Sequence, residues 1–101
     1  MQTFPILNPE GKLHAFEIEN LLVGRLGATN IVKLIPSVRL IKKPKKFLSW
    51  WREDIFCEFE LNGVHFIIEE PFGDNSRYWI GGKNPGWCSE LEIIEQAFKS
   101  A

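Results

Sequence analysis

The run IFCEFELNGVHFIIE, residues 55–69, constrains this chain more than any other stretch. Two alternating segments flank Asn62-Gly63, the pair preferred for a two-residue type I′ turn, where both central residues take positive φ. A turn of that length sets the register. Leu61 then faces Val64, Phe59 faces Phe66, and Cys57 faces Ile68 on one side of the hairpin. Glu60 faces His65, Glu58 faces Ile67, and Phe56 faces Glu69 on the other. The first side is wholly apolar and belongs in a core. The second is mixed, and water or a thin covering layer is expected over it.

Around the hairpin, the periodicity divides the chain into short elements. Residues 13–19, LHAFEIE, alternate, with His14, Phe16 and Ile18 on one face and Glu17 and Glu19 on the other. That pattern predicts a half-buried strand. Asn20 offers a helix N-cap, and LLVGRLGATNIVKLI follows, with Leu22, Leu26, Ile31 and Ile35 at helical spacing and Pro36 as the stop. Gly24 and Gly27 each weaken such a helix by about 1 kcal/mol relative to Ala. With Ala28 they form a smooth patch against which a sheet can pack closely. Residues 38–42, VRLIK, read as a further strand, and Pro44 breaks the pattern after it. Pro71 ends the second hairpin strand, because proline cannot donate to a ladder. FGDNS has turn chemistry, RYWI alternates again, and Gly81-Gly82 closes that strand. Ser89 with Glu92 three residues on is a capping box, Cys88 and Ile93 are placed for the accompanying staple, and Leu91, Ile94 and Phe98 form a buried stripe.

The expected order is strand, helix, four strands, helix. This predicts an α+β domain over residues 1–101, a two-layer sandwich of a mainly antiparallel sheet of about five strands with two helices on one face. The first strand–helix–strand segment offers one parallel pair. With 101 residues, a single domain is the natural count. The opening MQTFPILNPEGK has no basic segment leading into an apolar one, and no apolar run approaches the ~18 residues of a membrane span. Cys57 and Cys88 form no disulfide framework and read as two reduced thiols. A cytoplasmic protein without a membrane partner is the expectation.

The chemical candidates are few. Cys57, Cys88, His14 and His65 are too scattered for a zinc site, so no metal or other cofactor is expected. Cys88 precedes a helix N-terminus, where a thiolate is stabilised, but no nucleophile motif surrounds it. Acid–base work by Glu58, Glu60, Glu69, Glu70 and Asp74 would require two carboxylates in different environments, whereas a solvated sheet face explains them. Asp74, Asn75, Ser76 and Arg77 are the best group for a small polar site, because a loop presents several side chains together; turn formation accounts for the first two without one. The basic run is Lys42, Lys43, Lys45 and Lys46 around Pro44, with Arg39 before it and Trp50, Trp51 and Arg52 after. Lysines neutralise phosphates and indoles stack on bases, so single-stranded nucleic acid is one reading. A net charge of -1 removes any bulk attraction to polyanions. Adjacent tryptophans rimmed by charge fit a protein interface better.

The combination CEFELNG…F…EPFGDNSRYWIG resembles small bacterial proteins in which a hairpin leads into a strand of EPFGDNSRYWIG type. It covers about the second half of the chain. The resemblance implies a single-domain bacterial protein and brings no activity with it.

The sequence therefore points to a non-enzymatic domain that binds a protein partner or a second copy of itself, in an accessory, regulatory or immunity-type role, through Lys43, Lys45, Lys46, Trp50, Trp51 and Arg52. The alternative is a small-molecule or single-stranded nucleic-acid module using Lys42–Arg52. A third class is an enzyme built on Asp74, Asn75 and Arg77.

Overall fold

The computed structural model describes residues 1–21, 23–42, 55–70 and 76–101. Its elements are β1 (Phe4–Leu7), β2 (Leu13–Glu19), α1 (Gly24–Lys33), β3 (Val38–Lys42), β4 (Ile55–Leu61), β5 (Val64–Glu69), β6 (Arg77–Gly82) and α2 (Ser89–Lys99). The strands form one sheet in the order β1-β2-β6-β5-β4-β3. Every neighbouring pair is antiparallel. Both helices contribute to one core with the same sheet face, through Ala28 and Val32 of α1 and Leu91, Ile94 and Phe98 of α2. This is the expected two-layer α+β architecture.

From Cys57↔Ile68 to the turn the hairpin forms in the predicted register, with Asn62 at φ 53° and Gly63 at φ 82° as a type I′ turn requires. Phe59 and Phe66 stack with ring centroids 5.6 Å apart. Phe16 meets Phe98 of α2 edge to face at the same separation, 5.6 Å, tying the helix to the sheet.

Several expectations are corrected. The sheet has six strands, close to the expected number of about five. The extra one, β1, is four residues long and contains Pro5, too short for an alternation to register. Proline is tolerated there because β1 lies at the sheet edge. The expected parallel pair does not form. β2 and β3 point the same way, but β6, β5 and β4 lie between them, because α1 carries the chain across the core face to the far edge.

Phe56 does not face Glu69. The β4–β5 pairing steps from Ile55↔Glu69 to Cys57↔Ile68, so β4 holds one extra residue at Phe56. Such a bulge re-aims a side chain, and Phe56 is buried in the core beside Cys57. A matching irregularity in β2 sits at His14, between the pairs Ile6↔Ala15 and Leu7↔Leu13. It brings Leu13 into the core with Phe16 and Ile18, and leaves His14 only half-buried.

The first helix is also different. Asn20 is not its cap, and the helix starts at Gly24, whose φ of 64° suits glycine. Its buried side is Ala28, Thr29 and Val32, and Leu26 is 60% exposed. The Gly24–Gly27–Ala28 patch does not meet the sheet as a unit: a Cβ on Gly27 would touch Val23, and one on Gly24 would meet open space. Gly81 and Gly82 do not close β6 but belong to it. The capping box at Ser89 does not form. Cys88 is the N-cap position without a side-chain cap bond, and Ser89 Oγ donates instead to Glu90 at 3.3 Å. Glu92 accepts the Trp87 indole N–H at 2.6 Å, and Ile93 points outward rather than stapling Cys88.

Candidate binding surface

Residues paired across a ladder share a face, so the registers define what each face presents. On the core face, one row runs Pro5, Phe16, Ile80, Ile68, Cys57. On the opposite face, the adjacent rows run Phe4, Glu17, Trp79, Glu69, Ile55 and Ile6, Ala15, Gly81, Ile67, Glu58, Lys42. Neither described helix covers this second face. It is a mixed surface of the kind the hairpin pattern anticipates.

Trp79 is its centre. Trp79 and Gly81 are two residues apart on one strand and therefore point the same way. The outer edge of the indole occupies the place of a Gly81 side chain: a Cβ there would lie 2.5 Å from Cη2 and 2.9 Å from Cζ2. Glycine inside a paired strand often marks such a close approach. The ring thus lies down over the sheet instead of standing on it, and the backbone of Gly81 is buried beneath.

Several charged groups of this face are engaged with one another. The Arg77 guanidinium lies 3.7 Å from the centroid of the Phe4 ring and its Nη1 is 3.4 Å from Glu17 Oε1. Lys83 donates to Glu58 Oε2 at 3.1 Å, with His65 Nδ1 3.9 Å from the same carboxylate oxygen. Glu60 faces His65 in the β4–β5 register as expected, and its carboxylate pairs with Arg39 of β3. Exposed pairs of this kind add at most about 1 kcal/mol each. Their effect is to neutralise the face locally.

A second polar cluster ties α1 to the end of β5. Arg25 Nε and Nη2 both donate to Glu70 Oε1, at 3.1 and 2.7 Å. The guanidinium also sits 4.9 Å from the centroid of Phe56, which the β4 bulge delivers there. Phe56 in turn meets Tyr78 edge to face at 4.8 Å. Burial raises the Tyr78 phenol above its usual range; the Glu70 charge adds to this and Arg25 opposes it. Arg25 lies in the first turn of its helix, where a cation is unfavourable, and Glu70 offsets that. The cluster has a structural explanation. No pairwise sequence signal announces it, because Arg25 and Glu70 are 45 residues apart.

Both cysteines carry free thiols. Cys57 is fully buried, and burial pushes its thiol up to about 11, with a Thr29 hydrogen bond offsetting part of the rise. A thiol so placed is a poor nucleophile. Among the described residues, no three His, Cys, Asp or Glu side chains converge to hold a metal ion. Among the same residues, no helix is long and apolar enough to cross a membrane.

Of the residues singled out from sequence, Lys43, Lys45, Lys46, Trp50, Trp51, Arg52, Asp74 and Asn75 lie outside the described residues. Arg77 opens β6 and packs on the sheet face as described above. Trp79, Phe4 and Gly81 are the residues that sequence reasoning passed over. The signal was available as Trp-x-Gly on an alternating strand, a spacing that sets an indole beside a missing side chain.

No protein-family model, curated protein or solved structure matches this chain.

Proposed function

We propose that this protein is a non-catalytic domain that binds another protein on the sheet face that neither described helix covers. The observation that carries this is the character of that face: Trp79 laid flat over Gly81, with Phe4, Ile6, Ile55 and Ile67 in the same rows and with Arg77, Glu17, Lys83 and Glu58 paired internally. Aromatic anchors within a neutralised polar surround suit a protein partner. The 43–52 segment, with Trp50 and Trp51, belongs to the same proposal as a contributor from between β3 and β4. A bacterial, cytoplasmic accessory, regulatory or immunity-type protein is the setting we propose.

The nucleic-acid alternative has less support. Arg39 and Lys42, the described part of the basic run, stand opposite Glu60 and Glu58 in the β3–β4 register. Carboxylates in those positions oppose a phosphate track. The enzyme reading through residues 74–77 draws nothing from Arg77, whose guanidinium is taken up by Phe4 and Glu17.

The test is a pull-down from the native host with mass spectrometry, comparing wild type, Trp79→Ala and the double change Trp50→Ala/Trp51→Ala. A partner held by wild type and lost with Trp79→Ala, at a stability cost of no more than about 2 kcal/mol, supports the reading. Retention of every captured protein by Trp79→Ala refutes it.

A further inference from the structure

The helix layer carries a separate feature on its outer surface. A groove of about 330 Å³ opens between the C-terminal end of α1 and α2. Ile31, Leu34 and Ile35 form one wall, and Ile93 and Ala97 the other. Gln96 and Ser100 are its polar side chains, and among the described residues no charged side chain lines it. Leu34, at the helix C-cap, is 83% exposed, and Ile93 is 48% exposed. Two large aliphatic side chains thus stand in water at the lip of an apolar hollow.

We propose that two copies of this chain associate through this groove, α1 of each against α2 of the other, with Leu34 of each seated in its partner's groove. Two observations select a second copy as the occupant. The first is that projection and hollow belong to the same patch. A two-fold axis along the groove satisfies both at once and closes the assembly, because an isologous contact uses one patch twice. The second is charge. On α1, Arg25 is taken up by Glu70, which leaves Lys33 as its exposed charge; on α2, Glu95 is buried against Thr3 and paired with Lys99, which leaves Glu92, next to the groove residue Ile93, as an exposed carboxylate. Laying α1 on its partner's α2 brings exposed Lys33 toward exposed Glu92, while α1 on α1 would oppose Lys33 to itself. Complementary charge around an apolar centre from which charge is missing is the usual anatomy of a homodimer contact. This surface lies on the helix side of the sheet, so the proposal stands or falls apart from the reading of the sheet face.

Sedimentation velocity of the intact protein tests it over about a hundredfold range of concentration. Wild type is expected to move toward twice the monomer mass. Leu34→Arg, at an exposed position, is expected to keep its circular dichroism spectrum and raise the dimer Kd by about tenfold or more. Lys33→Glu is expected to weaken the dimer, and adding Glu92→Lys in the same chain to restore it. Wild type that stays monomeric at every concentration overturns the proposal and leaves the groove to a different partner. A dimer that survives Leu34→Arg, or that dissociates with Trp79→Ala instead, also overturns it.

Discussion

Placing a methyl group on Gly81 isolates the packing of Trp79. The Cβ of Gly81→Ala would lie 2.5, 2.9 and 3.0 Å from Cη2, Cζ2 and Cζ3 of the indole. Carbon atoms rest at about 3.5–4.0 Å, so the ring must withdraw by roughly 1 Å or swing off the sheet. Neither described helix stands in its way. The loss is then the contact between indole and sheet. If about 50–80 Å² of apolar surface is re-exposed, the cost is about 1.3–2 kcal/mol. Against this, alanine restricts the unfolded chain and returns about 0.4–1 kcal/mol, since the Gly81 backbone is one that alanine adopts. The net expectation is a destabilisation of about 1 kcal/mol. In a Trp79→Ala background the obstruction is gone, and the same change is expected to stabilise by about 0.4–1 kcal/mol. The sign therefore reverses, with a coupling energy of about 1.3–2 kcal/mol. Urea melts followed by far-UV circular dichroism on the four proteins measure it. Equal effects of Gly81→Ala in both backgrounds would refute the seating of the indole.

Four further outcomes are expected. Phe59→Ala, at a fully buried stacked position, should cost about 3–5 kcal/mol in denaturant melts, whereas Leu26→Ala on the exposed side of α1 should cost under about 0.5 kcal/mol. Native-state alkylation at pH 8 should label Cys88 and spare Cys57. Because the Cys57 thiol titrates near 11 when folded and near 9 when unfolded, its contribution is present below pH 9 and is lost as pH rises toward 11. The unfolded chain binds fewer protons over that window, so stability falls, by up to about 2–3 kcal/mol; Tyr78 acts in the same direction, and Cys57→Ala should flatten the profile. Thr3→Val, which removes the 2.8 Å hydroxyl donor to the buried Glu95 carboxylate, should destabilise by about 1.5–3 kcal/mol in denaturant melts.

What the sequence determined by itself is local. Asn62-Gly63 has positive φ at both positions, and a two-residue turn sets the register next to it, so the β4–β5 pairing from Cys57 to Ile68 and its core face were legible up to the bulge at Phe56. The buried stripe of α2 was legible for the same reason, since Leu91, Ile94 and Phe98 repeat at helical spacing. The two-layer class followed from the order of the elements. Tertiary structure decided where periodicity is interrupted or ambiguous. The bulge at Phe56 shifts a side chain from one face to the other, and alternation carries no mark of it. On α1, Leu26 and Val32 fit apolar stripes equally well until packing against the sheet chooses Ala28 and Val32. β1 is too short to speak for itself and exists because β2 offers it an edge. The face opposite the helices is likewise a product of assembly: Phe4, Glu17, Trp79, Glu69 and Ile55 come from five strands, and only the strand order makes them one surface.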